Sequence, residues 1–199
     1  GQQLNVIDIS ERSQPRLIES VEVGRNPEHI SISPDGQFLA INSNEPGKEL
    51  LIVELQTDGQ LGEKFYFPMQ QNDSREDNQT AIWHPSGQYL ALIQDQNRRV
   101  GFYRVQTKGG PIAVEPLGDL LEIGNHRFTR DGRFLLVPDL KWSLHKTPTL
   151  NFLLNTPGEL IAIQFEPDAE EPPRVVSRVK VGLSPEGFAI SPDESLITT

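Results

Sequence analysis

The stretch VEVGRNPEHISISPDGQFLA, residues 21–40, recurs near the other end of the chain as VKVGLSPEGFAISPDESLIT, residues 179–198. The two copies share nine of twenty residues in one ungapped register, including the glycine, the Pro-Glu pair and the Ser-Pro-Asp turn. Nine identities in one register are too many for a coincidence among common turn residues. The chain is therefore built from a repeated unit.

Two weaker copies lie between these two. They read IWHPSGQYLALI, residues 82–93, and RFTRDGRFLLVP, residues 127–138. The spacings are 51, 45 and 62 residues when the four copies are aligned at Pro34, Pro85, Arg130 and Pro192. The first two spacings match the roughly 40 to 50 residues of one β-propeller blade, and the third indicates an insertion.

Each copy is a series of short strands. In the first full unit, strands are predicted at residues 29–32, 38–41, 50–55 and 64–67, and the Pro34-Asp35-Gly36 turn joins the first two. Asp-Gly between short apolar runs is a strong hairpin signal because glycine takes the positive φ that the turn needs. No segment has a helical period over eleven or more residues.

The pattern predicts an all-β fold, a β-propeller of four-stranded antiparallel blades with about four blade-equivalents present. We expect a single domain over residues 1–199. It divides into a half blade at 1–23, full blades at about 24–71, 72–123 and 124–181, and a half blade at 182–199. The two halves could complete one another in a four-bladed ring, since propellers often close in this way. We favour a segment of a longer, seven-bladed propeller.

Composition narrows the functional classes. The net charge of −10 repels phosphate backbones and anionic lipid, so we expect no nucleic-acid partner. No apolar run is long enough to span a membrane, and no signal peptide is visible in this chain. The chain has no cysteine, which excludes disulfides and thiolate ligands. No metal-binding motif is present, and we expect neither a metal nor a cofactor.

The repeat resembles the YVTN family, whose blades read as glycine, two spacers, proline, an apolar strand, SPDG and a short strand that ends in asparagine. Asn42 occupies the position of that asparagine. The segment RDGRFLLVPDLKW, residues 130–142, resembles lactonase-type seven-bladed propellers. The resemblance implies a propeller fold, and members of these families include sugar-lactone hydrolases, cycloisomerases and many propellers with no known activity. The histidine that the lactonase motif carries before the first strand is replaced here by Glu28, Gly124 or Glu186, so no catalytic residue is carried over.

Strand alternation predicts which loops share a face. Loops that enter the first strand of a blade emerge on the same side as loops that join the second strand to the third. We expect the functional face to consist of these loops, because sites concentrate in loops held by a rigid scaffold. The Pro-Asp-Gly turns lie on the other face and are interpreted as structural, as is His84, which aligns with Ser33 and Ser191.

The insertion at residues 138–158 is the longest of these loops. Trp142 and His145 could stack on or hydrogen-bond to a ligand, and Lys141 could neutralise an anion. The simpler alternative is a surface flap that buries Trp142 and Phe152 against the next blade. Long loops in compact domains are often functional, so both interpretations stay open.

We expect a binding or interaction scaffold that uses one loop face and the central channel to hold a protein partner or a small-molecule ligand. The alternative is a lactonase-type hydrolase in which His126 or Glu28, with Arg25, acts on a cyclic ester. A bacterial, periplasmic or extracellular protein is expected. The candidate binding residues are Arg25, Glu28, His29, His126, Asp139, Lys141, Trp142, His145 and Glu186.

Overall fold

The structure is a computed structural model. It describes residues 2–69, 78–94, 99–120, 126–139, 142–146, 151–169, 171–183, 185 and 187–199. These residues form β-strands, turns and irregular segments and contain no helix, which confirms the all-β prediction. Over the same ranges, therefore, no helix is long and apolar enough to cross a bilayer.

The strands form three four-stranded antiparallel sheets, with a two-stranded sheet before and after them. We name these units half-blade A, blades B, C and D, and half-blade E. Half-blade A consists of β1 (Gln3–Asp8) and β2 (Arg16–Glu22). Blade B consists of β3 (Ile30–Ile32), β4 (Phe38–Asn42), β5 (Leu50–Leu55) and β6 (Leu61–Phe67).

Blade C has the same consecutive order, with strands β7 (Asn78–Trp83), β8 (Tyr89–Gln94), β9 (Arg99–Gln106) and β10 (Ala113–Leu120). Blade D consists of β11 (Arg127–Phe128), β12 (Phe134–Asp139), β15 (Pro157–Gln164) and β16 (Arg174–Leu183). Half-blade E consists of β17 (Ala189–Ile190) and β18 (Ile197–Thr198). The predicted propeller of four-stranded antiparallel blades is confirmed.

The insertion in blade D contains a hairpin of its own. Strands β13 (Trp142–Lys146) and β14 (Asn151–Asn155) pair with each other between β12 and β15. Each strand contributes one aromatic residue, Trp142 or Phe152, of the kind that favours extended backbone. Residues 138–158 are therefore not a plain loop, although β12 still pairs with β15 in an uninterrupted register from Phe134 to Asp139.

The same backbone turn occurs in all four copies of the motif, and in three of them a hydroxyl side chain adds the same pair of bonds. In blade B, Ser33 Oγ donates to Asp35 Oδ1 at 2.6 Å and accepts from the backbone N–H of Phe38 at 2.9 Å. Thr129 and Ser191 make the same pair of bonds in blade D and half-blade E. The Ser-Pro-Asp signature therefore encodes a locally hydrogen-bonded turn.

Apolar residues from adjacent blades form the core between them. Blades C and D meet at Phe102 and Phe165, whose rings stack with centroids 4.7 Å apart. Blade B packs on blade C through Ile52 and Trp83, and half-blade A packs on blade B through Leu4 and other side chains. Each sheet buries its faces only by packing against a neighbour, as propeller blades do.

The two half-blades are separate sheets, and β1 is not paired with β18. The described chain is thus an open series of blades, part of a propeller. Ile30 and Ile32 on the innermost strand of blade B are about half exposed, at 48% and 59%. Their side chains face half-blade A, where two outer strands are present but no inner strand is paired with them.

Gly132→Ala is expected to reduce the free energy of unfolding by about 1 to 3 kcal/mol more than Gly36→Ala. Both glycines occupy the same turn position, with φ of +75° and +72°. A Cβ at Gly132 would overlap the ring of His84, whose Nε2 donates to the Gly132 carbonyl at 3.0 Å, whereas a Cβ at Gly36 has no atom within 4 Å. Urea unfolding of the two variants measures the difference. Equal losses would contradict the close packing of His84 on this turn.

Candidate functional site

The predicted face does bring two loops of blade B together. The Arg25 guanidinium donates to the Asn44 carbonyl, with Nε 3.0 Å from the oxygen, and the Asn44 N–H donates to the Arg25 carbonyl at 2.8 Å. The Ser43 hydroxyl donates to the same Arg25 carbonyl. The loop entering β3 and the loop leaving β4 therefore hold each other in place. The Arg25 side chain makes this contact between the loops. Glu28, three residues along the chain, is exposed.

His29 links blade B to blade C. Its backbone N–H donates to Asn42 Oδ1 at 2.7 Å, and its Nδ1 lies 3.2 Å from the Ala81 carbonyl oxygen in β7. Ser31, two residues along the chain, donates to the same carbonyl at 2.8 Å. Because a carbonyl oxygen only accepts, Nδ1 must carry the proton, which leaves Nε2 as an acceptor. Partial burial lowers the pKa of His29, so its ring is neutral at pH 7.

Alternation along the inner strands explains why His29 faces blade C. Side chains at successive strand positions point to opposite faces. His29 and Ser31 share one parity and face forward to blade C, and Ile30 and Ile32 share the other and face back. When blade D is aligned at the turn, His126 falls on the parity of Ile30 rather than that of His29.

His126 therefore faces back to blade C. Its Nε2 lies 3.3 Å from the carbonyl oxygen of Ala91 in β8, and its side chain is only 4% exposed. The two histidines approach blade C from opposite sides, and His29 is close enough to lower the pKa of His126. The one-residue displacement in the aligned sequence thus places the two imidazoles on opposite sides of blade C.

The buried His126 ring has one nitrogen without a hydrogen-bond partner. Since Nε2 must donate to the Ala91 carbonyl, Nδ1 is an unprotonated acceptor, and no donor reaches it from any described residue. Burial, assisted by the nearby His29, lowers the pKa of His126 to about 3 despite the Ala91 carbonyl bond, which raises it. His126 is thus a neutral imidazole whose Nδ1 accepts a hydrogen bond from none of the residues that the structure describes.

The remaining predicted residues are distributed differently. Asp139 is buried at the end of β12, whereas Trp142 and His145 lie in the inserted strand β13. Lys141 and Glu186 lie outside the described residues. In the part of the chain that the structure describes, no three histidine or carboxylate side chains are grouped as a metal site would require.

Two residues that the sequence analysis did not select support this face. Asn42, buried on β4, fixes the His29 backbone, and buried Glu49 accepts the backbone N–H groups of Gly47 at 2.8 Å and Met69 at 3.1 Å. The hairpin register offered a signal for Asn42, because Ile30 pairs with Ile41 and places His29 opposite Asn42. For Glu49, no sequence signal separates it from the exposed glutamates of the chain.

These features define the chain as part of a β-propeller whose inner-strand entrances form a polar cluster beside blade C. No protein-family model matches the chain, and no curated protein matches it in sequence. Solved propeller structures do match it. A protein from Lactobacillus plantarum superposes with a TM-score of 0.72 at 18% identity, covering 98% of this chain and 57% of its own.

Two further solved structures extend the comparison. A Bacteroides uniformis protein provisionally named a 6-phosphogluconolactonase superposes with a TM-score of 0.73 at 11% identity, over 99% of this chain and 57% of its own. The β-propeller domain of Myceliophteria thermophila Cps50 gives a TM-score of 0.57 at 12% identity, over 88% of this chain and 52% of its own. This chain thus has a β-propeller fold and spans a little over half the length of the first two.

Proposed function

We propose that this part of the propeller binds a small, uncharged ligand that donates hydrogen bonds, at the inner-strand entrances beside blade C. The buried Nδ1 of His126, which accepts from no donor in the described part of the chain, is the observation that carries the proposal. A buried acceptor without a donor destabilises a protein by about 1 to 3 kcal/mol, so a donor is expected to fill the position. A ligand hydroxyl or amide N–H is such a donor.

The charge state of the two histidines supports an uncharged ligand. Both rings are neutral at pH 7, because burial lowers both pKa values. Two of the five N–H donors of the Arg25 guanidinium bind the Asn44 carbonyl and fix its position on the loop. A neutral acceptor nitrogen on His126 suits a ligand that carries hydroxyl groups, such as a sugar or a sugar lactone.

The hydrolase alternative has less support from the same geometry. A general base works best with a pKa near the operating pH, and His126, with a pKa of about 3, is far too weakly basic. Glu28 is exposed, so its carboxylate is hydrated, whereas the catalytic groups of an active site are shielded from bulk water. Binding without turnover is the function that these residues favour. The periplasmic or extracellular location stays a prediction.

Titration with D-glucono-1,5-lactone tests the proposal. We expect the ring nitrogens of His126 and His29 to shift in nitrogen-15 NMR spectra, with lactone hydrolysis staying at the uncatalysed rate. His126→Phe keeps a ring in the site but removes the acceptor, and should weaken binding about tenfold. Glu28→Gln, on the same face, is the control and should bind normally.

Three outcomes would count against this account. Turnover above background that is lost in Glu28→Gln would favour the hydrolase. Shifts confined to residues away from blade C would place the site elsewhere. No shift with the lactone, D-glucose or glycerol at millimolar concentration would contradict the proposal.

A further inference from the structure

Two grooves lie on the opposite face, where the Pro-Asp-Gly turns are. Each is bounded by the first turns of two consecutive blades and by the turn between the third and fourth strands of the later blade. The groove between blades B and C has a volume of about 580 Å³, and that between blades C and D about 590 Å³. Both volumes suit a small-molecule ligand.

The two grooves share Tyr89 but differ in charge. The B–C groove is lined by Pro34, Asp35, Gly87, Tyr89, Arg104 and Lys108. The C–D groove is lined by His84, Tyr89, Asp131, Arg133, Glu166 and Asp168. Two cations stand against one carboxylate in the B–C groove, whereas three carboxylates stand against one cation in the C–D groove. The B–C groove is thus a cationic concavity on a chain of net charge −10.

Arg104 is the cation best placed to hold a ligand. Its guanidinium carbon lies 6.0 Å from the centroid of the Tyr89 ring, a cation–π distance. The Tyr89 ring is only 4% exposed, and its hydroxyl donates to Asp168 at 3.3 Å on the other side. Tyr89 therefore forms a fixed platform beneath an exposed guanidinium.

Lys108 adds a second, weakly held positive charge. Its Nζ lies 3.8 Å from Asp35 Oδ2 across the groove, and both side chains are exposed. Exposed ion pairs at such distances contribute little to stability. A bound anion can therefore replace Asp35 as the partner of the Lys108 ammonium group with little loss of free energy. Pro34 and Val105 contribute apolar surface to the lining of the same groove.

We infer that the B–C groove binds a small organic carboxylate with a flat apolar body. The guanidinium fork fits a carboxylate with two parallel hydrogen bonds, which an ammonium group cannot offer. The apolar wall and the edge of Tyr89 would cover the body of the ligand. This site lies on the face opposite the histidine cluster and is independent of the function proposed above.

The test uses 2-naphthoate, with 2-naphthamide as the uncharged control of nearly equal shape. We expect naphthoate to shift the backbone amide signals of residues 87–89 and 104–108 in a saturable way, and naphthamide to bind at least about tenfold more weakly. Arg104→Gln should weaken naphthoate binding at least about tenfold. Arg133→Gln, which removes the cation of the C–D groove, should leave it unchanged.

Each result has a defined meaning. Because Arg104 and Arg133 are both exposed, the two variants should keep the wild-type circular dichroism spectrum, which confirms that they are folded. Equal binding of naphthoate and naphthamide would show that only apolar contact operates and would overturn the inference. It would also be overturned by unchanged affinity in Arg104→Gln, by shifts mapping to the C–D groove, or by no saturable shift up to millimolar naphthoate.

Discussion

The free energy of unfolding is expected to fall by about 2 kcal/mol through His126 alone when the pH is lowered from 7.5 to 5.0. Burial holds the pKa of this imidazole at about 3 in the folded protein, against an ordinary value of 6.5. Between the folded pKa of about 3 and the ordinary value of 6.5, His126 is protonated in the unfolded chain but not in the folded protein. This stability is therefore complete above pH 6.5 and is lost progressively as the pH falls toward 3.

Urea unfolding at several pH values measures this loss, with His126→Gln as the variant that cannot titrate. The wild type should lose about 2 kcal/mol more than the variant over this interval, whatever the variant's stability at pH 7.5. Burial also lowers the pKa values of His29 and His84, and that share of the loss should persist in both proteins. Asp8 and Asp193, with pKa values lowered to about 2 by hydrogen bonds to serines, lose their contribution only below about pH 4. Equal pH dependence in both proteins would show that His126 titrates normally.

Phe165→Ala is expected to reduce the free energy of unfolding by about 3 to 5 kcal/mol. The Phe165 ring is 2% exposed and stacks on Phe102 from the neighbouring blade, and it also contacts the rings of His84, Tyr89 and Phe128. Its removal would leave a cavity at the junction of blades C and D, where neither sheet can close over it without losing its register.

The control for this variant is Tyr66→Ala on the exposed outer strand of blade B. The Tyr66 side chain is 37% exposed, so its truncation should cost less than about 1 kcal/mol. Urea unfolding monitored by circular dichroism compares the two. A loss below about 1.5 kcal/mol for Phe165→Ala would mean that blades C and D do not depend on this stacked pair.

The turns explain why the fold could be predicted from the sequence. Ser33 and Ser191 precede Pro-Asp, and in both copies the serine hydroxyl bonds to the aspartate and to a backbone N–H five residues along the chain. This geometry is local, so short motifs were enough to locate each inner hairpin. The hairpin β13–β14 was not predicted, because it lies outside the repeat and no other copy could be aligned with it.

The site was harder to predict because it depends on contacts between blades. His29 and His126 both precede an inner strand, but only the packing of neighbouring blades determines which carbonyl each one reaches. Burial of His126 has the same origin, since the Ala91 carbonyl belongs to a different sheet. The groove beside Arg104 likewise exists only where two blades diverge, and no spacing within one repeat indicates it.

The most direct test is the protonation state of the His126 ring, measured by nitrogen-15 NMR from pH 7.5 to 4.5. We predict a neutral ring with the proton on Nε2 across this range, because Nε2 donates to the Ala91 carbonyl and the pKa is about 3. The unprotonated Nδ1 should then shift when D-glucono-1,5-lactone is added. A ring that titrates near pH 6.5, or one that carries its proton on Nδ1, would contradict the buried, unprotonated Nδ1 and the binding site built on it.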